Sequence, residues 1–127
     1  MIAVDTSAFM AMLLREPRGD ECKAALVAED RVLVSAGTVA EAFIVSARRN
    51  LTVQMTQIID QLALEIVPVT SASARRIGEA YEQWGRGVHS AALNFGDCFA
   101  YQVAKEHACR LLFIGDDFAK TDIESVL

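Results

Sequence analysis

Residues 1–7 read MIAVDTS, a short apolar segment followed by an acid and two hydroxyl residues. A few apolar residues bounded by polar ones are typical of a buried strand. The next segment, Thr6–Arg15, is rich in Ala, Met and Leu, which favour a helix. A strand followed at once by a helix predicts the first unit of an α/β fold.

The same alternation of apolar strands and helical segments continues along the chain. It predicts a three-layer α/β/α fold with a central, mainly parallel sheet, formed by residues 1–127 as a single domain. Pro68 predicts that the third strand lies at an edge of the sheet or ends there. The predicted strands are Met1–Val4, Val32–Ser35, Glu65–Val69 and Leu111–Ile114, and the predicted helices are Thr6–Arg15, Pro17–Ala28, Thr38–Arg49, Thr52–Leu64, Ser73–Trp84 and one that ends near His107.

The composition excludes several classes of protein. At 53% hydrophobic and 23% charged residues, the chain is suited to a packed core and not to disorder. Its net charge of -5 argues against nucleic-acid binding driven by overall charge, so any such binding must rest on a local site. Three scattered cysteines lack zinc-site spacing, and no apolar run is long enough to span a bilayer. We therefore expect a cytoplasmic protein with reduced thiols, without a signal peptide.

Several acids occupy unusual places in this pattern. Asp5, Glu41 and Asp97 each interrupt a stretch that carries no other charge, and Asp116 and Asp117 follow the last predicted strand. Isolated carboxylates in apolar surroundings are costly unless a counter-charge or a proton neutralises them. Because sites in parallel sheets form beyond the carboxyl ends of the strands, a divalent cation bound by these oxygens explains the pattern, and Mg²⁺ or Mn²⁺ fits it best.

Each acid taken alone also has a purely structural interpretation, in which it serves helix capping or a turn. Only the joint pattern favours a metal site. The structural alternatives are an N-cap role for Asp5, a capping box of Thr38 with Glu41, a cap at Asp97 in competition with Asn94, and turn positions for Asp116 and Asp117.

Four segments carry a resemblance to a known family. They read VDTSA at residues 4–8, VAE at 39–41, NFGDC at 94–98 and LFIGDDF at 112–118. In this order and separation, the sequence resembles the PIN-domain ribonucleases, and more narrowly the VapC toxins of bacterial toxin–antitoxin pairs. The resemblance covers almost the whole chain and implies a PIN-like fold with an acidic pocket.

The resemblance also implies a set of site residues. Asp5, Glu41, Asp97 and Asp116 would be the catalytic, metal-binding carboxylates for Mg²⁺ or Mn²⁺. Asp117 competes with Asp116 for the last position, and we predict Asp116.

Other polar residues have supporting roles in this interpretation. Thr6 or Ser7 would orient a carboxylate, although both could simply belong to the start of a helix. Arg86 lies between two glycines with Trp84 and His89 nearby, and such a loop could hold unpaired RNA; a turn anchored by Trp84 is the alternative.

The function implied is that of a metal-dependent endoribonuclease that acts on RNA and is neutralised by a cognate antitoxin, with a homodimer expected. The main alternative is a non-catalytic PIN-like binding module. A phosphotransfer protein is less favoured, because a phosphatase of that kind requires a second Asp where Ser7 stands, and a receiver requires paired acids near the first strand.

Overall fold

The apolar segment at the start of the chain forms an interior strand of a four-stranded parallel sheet. This computed structural model describes residues 1–127. The strands are β1 (Ile2–Val4), β2 (Val32–Ser35), β3 (Glu65–Val67) and β4 (Arg110–Leu112), and their order in the sheet is β3-β2-β1-β4. The helices are α1 (Thr6–Leu13), α2 (Gly19–Ala28), α3 (Ala36–Ala47), α4 (Thr52–Gln61), α5 (Ser71–Trp84) and α6 (Phe95–Glu106), and a short 3₁₀ turn, Phe118–Lys120, lies after β4.

Both faces of the sheet are covered, as its continuous apolar strands require. Along β1, Ile2 and Val4 point to one face and Ala3 points to the other, because side chains alternate along a strand. Helices α1 to α4 pack on the face of Ile2 and Val4, and α5 and α6 pack on the face of Ala3. The predicted three-layer α/β/α fold with a parallel sheet is therefore confirmed.

The direction of the strand order changes at β1. From β1 the chain adds β2 and β3 on one side, and it returns to add β4 on the other side. A crevice forms at such a switch point, outside the carboxyl ends of the strands. Asp5 follows β1 directly at this edge.

Most predicted elements exist, with shifted ends. The third strand lies at the edge of the sheet and ends before Pro68, as predicted. Helix α3 begins at Ala36, and the Ser35 side chain caps it by accepting a hydrogen bond from the Gly37 amide. The proposed capping box of Thr38 with Glu41 is therefore wrong, since both residues lie inside the helix.

The tail of the chain forms contacts that the sequence did not predict. Residues beyond the 3₁₀ turn return to the free side of β4, where the Leu111 amide donates to the Glu124 carbonyl at 2.9 Å. The Val126 amide donates in turn to the Leu111 carbonyl at 3.1 Å. These bonds satisfy backbone groups that an edge strand would otherwise leave exposed. No helix is long and apolar enough to cross a membrane.

Helices α3 and α6 approach each other closely at Gly37. A Cβ atom at this position would lie 2.3 Å from the Phe99 ring. We therefore expect Gly37→Ala to destabilise the protein by about 1–3 kcal/mol through overpacking, measured by urea denaturation. In a Phe99→Leu background the same change should cost much less, because the smaller side chain leaves room. An equal cost in both backgrounds would contradict this account of the helix contact.

Candidate active site

Asp5 is buried at the end of β1, with only 4% of its surface exposed. It N-caps α1: one carboxylate oxygen, Oδ2, accepts the Ser7 amide at 3.0 Å and the Ser7 hydroxyl at 2.7 Å. The predicted capping role is thus confirmed, but it accounts for only half of the carboxylate. The other oxygen, Oδ1, is buried without any hydrogen-bond partner.

Ser7 also ties the end of β1 to the end of β4. Its hydroxyl accepts a hydrogen bond from the Ile114 amide at 3.0 Å while it donates to Asp5. This hydroxyl fixes the Asp5 carboxylate relative to the segment that carries Asp116 and Asp117. Because the bond joins residues far apart in sequence, helix-start chemistry alone does not explain Ser7.

Glu41 reaches the same region from the middle of α3. The Thr6 hydroxyl donates to Glu41 Oε1 at 2.6 Å, and the other oxygen lies against the backbone of Gly96. A Cβ atom at position 96 would stand 1.8 Å from Glu41 Oε2, so only glycine leaves room for the carboxylate in this position. Thr6 and Gly96 together hold Glu41 at the start of α6.

Asp97 lies in the first turn of α6, next to the Glu41 carboxylate. Asn94 is the N-cap of this helix, and its side-chain oxygen accepts the Asp97 amide at 2.8 Å. Asp97 Oδ2 accepts the Asn94 amide at 3.0 Å in return. Both residues are therefore part of a capping box, which settles the competition between them in favour of Asn94 as the cap.

Asp116 and Asp117 are both exposed and follow the turn at Gly115, whose φ of 109° suits glycine. Asp117 precedes the 3₁₀ turn, but its side chain makes no capping bond there. The charge of Asp117 raises the pKa of Asp97, so the Asp117 carboxylate lies within electrostatic reach of Asp97. This supports Asp117 as a candidate for the last position, and the choice of Asp116 stays a prediction.

The acids influence one another through their charges. The pKa of Asp5 is raised to about 7, mainly by burial and in smaller part by the charges of Asp97 and Glu41, while the two hydrogen bonds from Ser7 oppose the shift. Burial also raises the pKa of Asp97 to about 6, with added repulsion from Asp117 and Glu41. Carboxyl groups from four separate parts of the chain therefore share one electrostatic neighbourhood.

The comparisons with known proteins agree with this geometry. The PIN domain family model matches residues 2–124. The chain belongs to the PIN domain family. Within it, the chain is similar to ribonuclease VapC30 of Mycobacterium tuberculosis, with 36% identity over 98% of each chain, and to ribonuclease VapC36 of the same species, with 38% identity over 95% of this chain and 90% of the relative.

Solved structures support the PIN fold at lower sequence identity. The sarcin-ricin loop cleaving toxin VapC20 of Mycobacterium tuberculosis has a TM-score of 0.79 and 20% identity, and the match covers 99% of this chain and 98% of that one. A toxin–antitoxin complex from Klebsiella pneumoniae has a TM-score of 0.69 and 20% identity over 96% of this chain and 93% of the other. FitAB bound to a DNA fragment has a TM-score of 0.67 and 23% identity, and the match covers 98% of this chain and 93% of that one.

The PIN-domain acids do not form a closed coordination sphere in this structure. No group of three or more acidic, histidine or cysteine side chains is placed to hold one metal ion. Three of the carboxylates accept hydrogen bonds from neighbouring groups, Asp5 from Ser7, Glu41 from Thr6 and Asp97 from Asn94.

The loop before α6 places Arg86 and His89 differently. The positive charge of Arg86 lowers the pKa of Asp97, so the guanidinium lies within electrostatic reach of the acids. His89 instead accepts the Ala91 amide through Nδ1 at 3.0 Å, and its ring packs edge-on against Trp84, 4.7 Å between centroids. The structure brings Arg86 towards the site, and it gives His89 a role within the loop.

Two aromatic residues that line one cavity with Arg86 and Asn94 were not predicted from the sequence as site residues. Phe95 and Tyr81 are 76% and 42% exposed. The sequence could have indicated Phe95, because it is the large apolar residue between the Asn94 cap and the candidate metal ligand Asp97. No comparable signal pointed to Tyr81, which helix α5 brings to the same side of the molecule.

The burial of Asp5, together with repulsion from the other acids, predicts a pH-dependent stability. An acid whose pKa is higher in the folded state than in the unfolded state contributes stability below its unfolded pKa, here near 3.8, and this contribution is lost as the pH rises through the folded pKa. Without divalent ions, the free energy of unfolding should therefore fall between about pH 4 and pH 7. Since one pKa unit corresponds to about 1.4 kcal/mol, Asp5 accounts for at most about 4 kcal/mol of this fall.

Asp5→Asn is the variant that checks this prediction. Denaturation in EDTA across this pH range should give a flatter profile for the variant than for the wild type, because the amide never ionises. Parallel profiles would mean that the Asp5 carboxylate is not held in an unfavourable ionised state.

Proposed function

We propose that this PIN-domain protein is a divalent-metal-dependent endoribonuclease of the VapC toxin class, acting on RNA in the cytoplasm. The observation that carries the proposal is the buried Asp5 Oδ1, which has no hydrogen-bond partner and lies in the shared field of other carboxylates. A cation is the group that satisfies such an oxygen and offsets the repulsion at the same time.

The donor set fits Mg²⁺ or Mn²⁺, since both ions prefer carboxylate oxygens. Asp5, Glu41, Asp97 and Asp117 would hold the ion, and Asp116 is the alternative to Asp117. A bound divalent ion lowers the pKa of water and stabilises negative charge on a phosphate, which is the chemistry that phosphodiester hydrolysis requires.

Hydroxyl groups beside the acids fix the orientation of two of the carboxylates. Ser7 holds Asp5 through two hydrogen bonds, and Thr6 holds Glu41 through one. Hydroxyl groups that fix a ligating carboxylate in this way reduce the cost of organising the site when the ion binds. Arg86 supplies the positive charge that an RNA phosphate needs near a cluster of acids.

A cognate antitoxin is the proposed regulator, and a homodimer is the proposed assembly. The support for an antitoxin comes from the similarity to VapC ribonucleases and from solved folds that include a toxin–antitoxin complex. A non-catalytic binding module is less well supported, because such a module has no need to hold an unpartnered carboxylate in its interior.

Cleavage of RNA is the direct test of this proposal. With Mg²⁺ or Mn²⁺ present, Asp5→Asn and Asp97→Asn should each lower the cleavage rate of a mixed-sequence single-stranded RNA by more than about 100-fold. This loss exceeds the 10- to 100-fold effect typical of residues that only orient metal ligands. Wild-type rates in either variant would refute the assignment.

Matched substitutions of Asp116 and Asp117 test which of the two residues supplies the fourth metal-binding carboxylate. The two changes remove the same charge from neighbouring exposed positions, so they differ only in which side chain faces Asp97. We expect Asp117→Asn to lose much more activity than Asp116→Asn. The reverse order would restore Asp116 as the fourth acid.

A substitution at Gly96 tests whether the position of the Glu41 carboxylate matters for RNA cleavage. Gly96→Ala should displace the Glu41 carboxylate and reduce cleavage by about 10- to 100-fold. The stability should change by less than about 1 kcal/mol, because the displaced group is the end of a flexible side chain and alanine favours the helix. In a Glu41→Ala background the same change should have no further effect on cleavage, and an additional loss there would show that Gly96 acts through another group.

A further inference from the structure

A cavity with a volume of about 600 Å³ lies between α5 and the start of α6. Its volume falls within the range of small-molecule binding sites. None of the four acids lines it, yet it adjoins them, because Asn94, Phe95 and Cys98 surround Asp97 in sequence. The residues that matter for its chemistry are Ile77, Gly78, Tyr81, Arg86, Phe95 and Cys98.

We propose that this cavity binds one unstacked nucleobase of the RNA, next to the phosphate held at the acidic site. The inference rests on the proposed ribonuclease function and names a binding site for its substrate. Recognition of single-stranded RNA commonly depends on bases that are splayed out and stacked on aromatic side chains.

The two aromatic residues of the cavity are exposed but held in place. The Tyr81 hydroxyl donates to the Arg86 carbonyl at 3.1 Å, and its ring lies against Gly85. The Phe95 ring packs edge-on against Phe99 with centroids 4.9 Å apart. Rings that are already fixed lose little conformational entropy when a base stacks on them.

Gly78 keeps the wall of the cavity open. It lies inside α5, where glycine costs about 0.5–1 kcal/mol relative to alanine. A Cβ atom at this position would meet nothing within 4 Å, so close packing does not require glycine here. Free space above an otherwise unfavourable helix residue is consistent with a wall that receives a ligand.

The positive charge of Arg86 favours RNA over an uncharged ligand as the occupant of the cavity. Arg86 lines the cavity and its positive charge also acts on Asp97, so this residue is shared by the cavity and the acidic site. An RNA chain matches this arrangement, since it presents an aromatic base to the cavity and a phosphate to the cation. An uncharged apolar peptide leaves the cation without a partner.

Binding of neutral nucleosides tests the cavity separately from catalysis. In EDTA, millimolar adenosine, cytidine or uridine should shift the amide NMR signals of Gly78, Tyr81 and Phe95, and ribose should not. Gly78→Leu should abolish these shifts, because its side chain fills the cavity. Absence of shifts in the wild type, or equal shifts with ribose, would overturn the proposal.

A graded series at Gly78 tests the effect on RNA. With Mn²⁺ and a mixed-sequence single-stranded RNA, Gly78→Leu should raise KM by about tenfold or more, and Gly78→Ala should have a smaller effect. Ala72→Leu, which adds the same apolar bulk at an exposed position of α5, should leave KM unchanged. Both glycine variants should keep or raise the melting temperature, since they favour the helix.

The results separate the two proposals. If the wild type cleaves RNA and Gly78→Leu cleaves it with an unchanged KM, the base site is refuted and the ribonuclease function stands. If the wild type cleaves no RNA, the ribonuclease function fails, and the nucleoside shifts alone decide whether the cavity binds bases. A cavity that responds only to an antitoxin peptide also refutes the base site.

Discussion

An ionised carboxylate at the end of a buried strand is costly to hold, and the Asp5 side chain stands in that position. Its burial raises its pKa to about 7, although Ser7 donates two hydrogen bonds to it. The parallel sheet causes this burial, because β1 lies between β2 and β4 and its end cannot reach solvent freely. The charges of Asp97 and Glu41 add to this cost.

The start of α6 shows how closely the surrounding helices must approach to complete the acidic site. Gly37 and Gly96 allow α3 and α6 to approach where any larger side chain would collide with Phe99 or Glu41. The Asn94 capping box fixes the first turn of α6 and with it the carboxylate of Asp97. Packing therefore sets the position of the Glu41 carboxylate and capping sets that of Asp97, and groups that orient carboxylates in this way support metal ligands in proteins.

How much of this the sequence could predict depends on the kind of information each feature requires. The strands and the parallel sheet follow from apolar periodicity, and β3 ends at Pro68 because proline cannot donate to the ladder. The predicted start of α3 was wrong because Thr and Ser both favour N-cap positions, and Ser35 is the residue that caps this helix while Thr38 lies inside it. The choice between Asp116 and Asp117 depends on side-chain direction after a glycine turn, and local sequence does not encode that direction. Tyr81 approaches Phe95 only through the packing of α5 on α6, which is tertiary information.

The acidic net charge is compatible with an RNA substrate when attraction and specificity are considered separately. A chain with net charge -5 cannot gather RNA through long-range attraction. Contacts at short range must then supply the affinity, and these are a cation near the acids and apolar surface for bases. Arg86 and the exposed Phe95 both precede Asp97 in sequence and line the same cavity. Weak overall attraction combined with a local site favours selection among RNA structures over indiscriminate binding, because RNA with no base available for the cavity loses most of its favourable contacts.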